Sequence, residues 1–300
     1  MPEPRFSIGE ASRAVIDATE AFGPEYQSEL ASLLDPHNGR MDIVPGKGRI
    51  NSWFTWGAYG ATWVVYLQGF DGYLADVVVL AHECAHAVHF SLFSKAGVPW
   101  YYGYGAPYVT EGFAKLGELL VLDRLAASAQ SRADRLLYLR QLNSKLASVR
   151  YGTMFGSACA TGFETEVYRR VQEGIVKKPE DIHELWAELG RAYTPDFDRY
   201  SDVRYTWAAI HQFFDASRYY SNYLFAWILA VSMYERLQAD PAFAGKIVDL
   251  MKAGWSDEPA VLLRTRLGID LQDPKTLSRV FSLIEKRLAE FEKEIQADQK

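Results

Sequence analysis

The chain has 300 residues, 49% hydrophobic and 14% aromatic, enough to bury a large core in one big domain or two ordinary ones. Its formal net charge of −6 leaves no basic excess to neutralise phosphates, which argues against a nucleic-acid partner. The two cysteines, Cys84 and Cys159, make no disulfide framework and fit a reducing cytoplasm. In chain order, the opening MPEPRFSIGEASR is charged and lacks an apolar run, so no secretory signal is expected. IGEASRAVIDATEAF and EYQSELASLL then predict two amphipathic helices broken at Gly23–Pro24. The next stretch is rich in glycine and aromatic residues, and RMDIV and ATWVVYLQ read as short strands of a small sheet at about residues 40–70.

From Tyr73 onward the pattern is helical. Segments are predicted at Leu74–Phe93, Thr110–Ala127, Arg132–Val149, Gly156–Gly174 and Pro179–Ala192. Further ones follow at Val203–Phe214, Tyr219–Gln238, Pro241–Ala253, Glu258–Arg266 and Pro274–Ile295. The longest apolar stretch, Tyr223–Tyr234, is shorter than the roughly 18–20 apolar residues a bilayer span needs, so no membrane is expected. No repeat and no linker interrupts the chain. The organisation expected is a single domain over residues 1–300, mainly α with a small β-sheet.

Within the first long helix, VVVLAHECAHAVHF holds three of the six histidines in the chain. His82 and His86 are four residues apart, so they lie about 40° apart on the helix, one turn above each other, and can share one Zn²⁺. His89 is on the same face, but about 10 Å from His82 along the axis, too far for the same ion. Glu83 sits at the edge of the stripe, where it can reach a water instead of the metal. This H-E-x-x-H pattern has the chemistry of zinc-assisted hydrolysis with glutamate as general base. A carboxylate on an apolar stripe is costly unless it is paired or used. Cys84 points about 200° away from His82 and reads as core.

A catalytic zinc keeps three protein ligands and one open position. Downstream, YVTEGFAKLGELLVLD carries Glu111, 25 residues after His86, and Glu118 seven residues further on the same helical face. Glu111 is the third-ligand candidate, and Glu118 can hold the tautomer of a ligand histidine.

These residues resemble the oligoendopeptidase F and thimet oligopeptidase family of zinc peptidases. DVVVLAHECAHAVHFSLF is similar to the H-E-x-G-H-x-x-H helix of that family, with His82, Glu83, His86 and His89 at the marked positions and Ala85 in place of its glycine. PYVTEGFAKLGE resembles its second helix, with Glu111 and Glu118 at the two glutamates. WAAIHQFF and YYSNYLFAW resemble the late segment with a histidine and tyrosines near the scissile carbonyl. GRMDIVPGKGR, WVVYLQGFDGYLADV and LMKAGWSDEPAVLLRTRLGIDLQDP resemble further family segments, so the likeness runs from about Phe6 to about Glu292. It covers only the C-terminal, catalytic half of the family.

The resemblance implies a zincin-type metallopeptidase domain: a zinc helix at about 74–93, a glutamate helix at about 110–127 and a helical remainder to about 295. It implies one Zn²⁺ per chain on His82, His86 and Glu111, Glu83 as the base, and Glu118 and His89 in support. A tetrahedral oxyanion also needs donors, and Tyr O–H and His N–H are suitable. Helical spacing puts Tyr219 or Tyr220 beside Tyr223, without choosing between them. The resemblance favours Tyr223 as the donor, with His211 beside it and Tyr220 or Tyr219 as a further contact. Thr62–Gln68 is a candidate edge strand for pairing an extended substrate, or else an internal strand.

The implied activity is endopeptidase cleavage of oligopeptides. Three alternatives stand beside it. The chain could act on larger substrates. It could work as a homodimer, or with a partner that supplies the missing N-terminal wall. It could also be a non-catalytic peptide-binding protein on the same fold.

Overall fold

The computed structural model describes residues 4–103, 105–150, 152–194 and 197–296. Helix α1 (Ile8–Ala18) starts on a capping box, in which Ser7 Oγ accepts from the Glu10 amide and Glu10 Oε2 accepts from the Ser7 amide at 2.8 Å. Gly23–Pro24 does not leave a gap before the second helix. It forms the first turn of α2 (Gly23–Leu33), where a missing N–H costs nothing.

The sheet has three strands, β1 (Met41–Asp42), β2 (Trp53–Gly57) and β3 (Trp63–Leu67), in the order β1-β3-β2. β1 runs parallel to β3, and β2 antiparallel to it with Thr55 opposite Val65. One expectation changes here: the segment around Trp53, read from sequence as connection, is a strand. Of the two readings of Thr62–Gln68, the internal strand holds, because β3 lies between β1 and β2, which form the edges. Trp63, Val65 and Leu67 of β3 are buried at alternate positions against the first long helix, which fixes the register.

That helix, α3 (Leu74–Lys95), begins where Asp76 Oδ2 accepts from the amides of Asp71 and Tyr73, each at 3.0 Å. It is long and apolar enough to cross a membrane by length and composition, unlike the shorter stretch the sequence pointed to. However, 78% of that apolar window is buried inside the protein, as in a core helix. The chain continues through α4 (Pro107–Ser128), α5 (Arg132–Ala147), α6 (Met154–Gln172) and α7 (Pro179–Tyr193). The helix expected over Val203–Phe214 is instead a 3₁₀ segment, Ser201–Ala209. Ile210 in extended conformation ends it, and the short α8 (Gln212–Asp215) follows. The remaining helices are α9 (Tyr220–Ala239), α10 (Phe243–Ala253), α11 (Pro259–Leu262), which runs on into a π-turn at Leu263–Leu267, and α12 (Pro274–Gln296).

The core lies where α4 packs between α3 and α9, around the fully buried Trp227, Tyr234 and Phe93. Two glycines on α4 allow this close approach. A Cβ on Gly117 would stand 3.0 Å from the Ala81 carbonyl of α3, and one on Gly112 would stand 2.8 Å from Leu229 Cδ2 of α9. The small Ala85 faces Gly117, so α3 and α4 run close enough for short side chains to meet across them. A smaller apolar cluster around Phe163 and Trp186 packs α6 against α7.

Candidate metal centre

The close pairing of α3 with α4 brings His82, His86 and Glu111 together. One ligand atom from each lies within 4.8 Å of the others, as in a site for a metal ion. The imidazoles of His82 and His86 meet edge to face with centroids 4.9 Å apart, the separation that one helical turn imposes. His82 Nδ1 stands 2.8 Å from Glu118 Oε1, and its Nε2 stands 3.5 Å from Glu111 Oε2. A carboxylate accepts only, so the His82 proton is on Nδ1 and the lone pair on Nε2 faces Glu111. His86 Nε2 is 3.8 Å from the other Glu111 oxygen.

Burial pulls the pKa of His82 below the usual histidine value and that of His86 down to about 4, so both rings are neutral, as ligands must be. Glu111 Oε2 is buried with no hydrogen-bond partner among the described residues. A carboxylate with one oxygen buried and unpaired, set against two neutral imidazoles, is costly, and a divalent cation would satisfy all three groups. The donor set, two imidazole nitrogens and one carboxylate, suits zinc.

Glu83 is 3% exposed and is not part of the triad. Burial raises its pKa to about 8, against the partial opposition of Thr55. Thr55 Oγ1 lies 2.8 Å from the Glu83 carbonyl oxygen and 3.0 Å from its Oε2. One hydroxyl proton cannot serve both oxygens, so both contacts are filled only when the carboxyl itself is protonated and donates to Thr55. Thr55 reaches Glu83 from β2, a contact that no local pattern in the sequence announces.

Glu118 is the residue that meets His82 at Nδ1. Burial alone would raise its pKa, but Lys145, Lys115 and His82 together hold it well below the usual carboxylate range. Neither lysine was singled out from sequence. Lys115 had a signal, since a charge on an apolar helix invites the reasoning applied to Glu83, whereas Lys145 sits on an ordinary amphipathic helix. His89, expected in a supporting position, is 2% exposed among Phe90, Phe93 and Phe113, and burial lowers its pKa to about 3. Cys84 is buried in the core as expected.

The tyrosines separate by face. Tyr219 is half-buried, and burial and then the Glu111 charge raise its pKa, while a hydrogen bond with Tyr223 opposes them. Tyr223 packs edge to face on Tyr219 at 5.4 Å and lies under Lys115 Nζ at 5.1 Å. Tyr220 is 2% exposed, packed between Phe213 and Tyr223. His211 is exposed at the start of α8, with no hydrogen bond to the triad among the described residues. Tyr219 thus meets the Glu111 charge with Tyr223 beside it, while Tyr220 turns into the core.

These shifts set a pH dependence for the metal-free protein. Folded His86 and His89 stay neutral down to about 4 and 3, whereas an unfolded histidine protonates near 6.5, so stability falls as pH drops below 6.5. Glu83 acts in the opposite sense. It keeps its proton to about 8 folded but only to 4.5 unfolded, so its contribution is lost as pH rises between those values. The histidines outweigh it below 6.5, and Glu83 acts alone above. Urea unfolding in chelator is expected to show a stability maximum near pH 6.5, with Glu83→Gln abolishing the loss between 6.5 and 8. A wild-type curve flat across that interval contradicts this assignment.

Comparison with known proteins agrees with this geometry. The model of peptidase family M3 matches residues 47–283, which include every residue of the triad, Glu83 and Glu118. The oligopeptidase PepF of Bacillus subtilis is 27% identical over 291 residues, covering 94% of this chain and 41% of that protein. The chromosomal oligoendopeptidase F of Lactococcus lactis is 26% identical over 296 residues, covering 96% of this chain and 47% of that one. A crystal structure of a peptidase from Chlamydophila abortus shares the fold with a TM-score of 0.79 at 21% identity, over 98% of this chain and 48% of the other. That of oligoendopeptidase-F from Enterococcus faecium has a TM-score of 0.64 at 18% identity, over 96% and 44%. The chain spans less than half the length of these curated relatives. With most of its length matched by the family model, the chain belongs to peptidase family M3, as its resemblance to the oligoendopeptidase F proteins implied.

Proposed function

We propose that the chain is a zinc-dependent peptidase that cleaves internal bonds of oligopeptides, with one zinc held by His82, His86 and Glu111. The observation that carries this reading is the Glu111 carboxylate, whose buried Oε2 has no hydrogen bond and faces the neutral His82 ring while its Oε1 faces that of His86. A bound zinc supplies a Lewis acid for the peptide carbonyl and acidifies water. The raised pKa of Glu83 belongs to the metal-free protein. Beside a bound cation its carboxylate form would be favoured, and that carboxylate takes the proton of the attacking water and delivers it to the leaving amine. Thr55 fixes the Glu83 carboxyl from the side, so the proton acceptor does not swing away. The Tyr223 hydroxyl donates to the developing oxyanion, with Tyr219 hydrogen-bonded beside it. His211 and Tyr220, favoured by resemblance, are further from this role by their exposure and burial respectively.

Substrate binding follows from β2, which pairs on one side only among the described residues and touches the general base through Thr55. An extended peptide hydrogen-bonding along its open side would be held by main chain, with little demand on sequence. The two cysteines, buried and unbridged, favour a reducing cytoplasm as its setting.

A second reading has the same chemistry shared with another chain, a partner subunit or a second copy, or directed at larger substrates. The exposed Trp53, Trp56, Trp100 and Tyr101 favour it. Purified protein is expected to carry about one zinc and to cleave quenched fluorescent oligopeptides, with activity lost on chelation and restored by zinc. Cleavage of folded proteins as readily as of peptides would select the second reading. Absence of zinc binding would sink both.

A further inference from the structure

Glu118 is 4% exposed and is reached from three sides. Its Oε1 lies 2.8 Å from His82 Nδ1, and its Oε2 lies 2.6 Å from Lys145 Nζ of α5. Lys115, three residues earlier on α4, places Nζ 3.8 Å from Oε1. Lys115 is itself 4% exposed, and the ring faces of Tyr223 and Trp227 cover its ammonium at 5.1 and 4.9 Å. Setting one buried and one partly buried ammonium group around a buried carboxylate is an expensive way to fill a helix interface, since apolar side chains of the same size would pack there at no electrostatic cost. The arrangement is instead directional. A carboxylate gripped at one oxygen by Lys145 cannot rotate without breaking that pair, so its other oxygen stays aimed at His82 Nδ1. Lys115 sits between this carboxylate and the Tyr223 ring, and joins the metal ligands to the tyrosine of α9.

We propose that Lys145 and Lys115 are positioning residues of the metal centre, which clamp Glu118 so that His82 presents its Nε2 lone pair towards Glu111 before any metal arrives. This rests on the metallopeptidase reading above. Without the clamp, Glu118 is free to turn and His82 to adopt the tautomer with its proton on Nε2, which cannot ligate through that atom.

The test uses the whole chain and reads zinc affinity by competition with a chromophoric chelator, together with the His82 tautomer in the metal-free protein by ¹⁵N NMR. Lys145→Met is expected to weaken zinc binding about tenfold and to populate the Nε2–H tautomer, while Lys145→Arg keeps both near wild type. Lys115→Met is expected to change both readouts in the same direction as Lys145→Met. On a Glu118→Gln background Lys145→Met is expected to add nothing, because both act through one contact. Unchanged affinity and tautomer in Lys145→Met, or additive losses in the double variant, overturn the proposal while leaving the zinc site standing. Should Lys145→Met fail to fold, Lys145→Gln decides by the same two readouts: weaker zinc binding with the Nε2–H tautomer populated supports the clamp, and wild-type values of both overturn it. A wild type that binds no zinc overturns the metallopeptidase reading instead, whatever the tautomer.

Discussion

Glu83→Gln is expected to keep the metal and lose turnover, with kcat falling by about 10²–10⁴. The glutamate lies outside the triad that can hold an ion, so the substitution leaves the donor set of His82, His86 and Glu111 intact. An amide fills nearly the same volume and still meets the Thr55 hydroxyl, so the start of the catalytic stripe keeps its packing. The amide cannot accept a proton near neutral pH, and proton uptake from the attacking water is the step it removes. The same change relieves the fold of a carboxyl that burial holds protonated to about pH 8. One substitution therefore lowers activity and raises metal-free stability at alkaline pH, a combination that general disruption of the site does not produce. Zinc content by elemental analysis and single-turnover cleavage of a quenched peptide check it. Turnover within tenfold of wild type would remove Glu83 from the reaction, and joint loss of zinc would make it a ligand.

The parts of this site that were legible in the sequence are those written in one helical turn. His82, Glu83 and His86 follow from the geometry of i and i+4, and Glu111 and Glu118 from a spacing of seven on one face. Each pair belongs to a single helix, so nothing beyond local periodicity is needed to align its members. That α3 and α4 then face each other depends on Gly117 opposite Ala81 and Ala85, and a glycine inside a helix does not show what it approaches.

Contacts between distant elements left no local trace. Thr55 comes from a strand whose aromatic residues, flanked by glycine, read as a connection. Lys145 comes from a helix with the composition of a solvated one. The tyrosine segment shows the same limit at finer scale. Spacings of three and four both put a ring beside Tyr223, and packing against Phe213 commits Tyr220 to the core while Tyr219 meets the field of Glu111. The break at Ile210 likewise ends a periodic stretch that continues in the sequence through Phe214.

Glu111→Ala is expected to change the sign of its effect with the metal, and this separates a ligand from a structural carboxylate. In the metal-free protein one Glu111 oxygen is buried without a hydrogen bond, and such a group costs about 1–3 kcal/mol. Its removal should leave metal-free stability unchanged or raise it by up to that amount, offset in part by the small space left behind. With zinc the order reverses. A ligand that binds only the folded state stabilises it by about 4 kcal/mol at a free concentration a thousand times its Kd. Wild type should gain that increment, and the variant, with two imidazoles left, should gain little at the same zinc concentration. Urea unfolding of both proteins, in chelator and in buffered zinc, gives the four stabilities required. Equal zinc stabilisation of the two proteins would remove Glu111 from the ligand set. A variant much weaker than wild type in chelator would show that Glu111 holds α4 in place without reference to metal. The expected crossing, in which the variant is no less stable without zinc and less stable with it, arises only if the carboxylate with its buried, unpaired oxygen is kept for the ion.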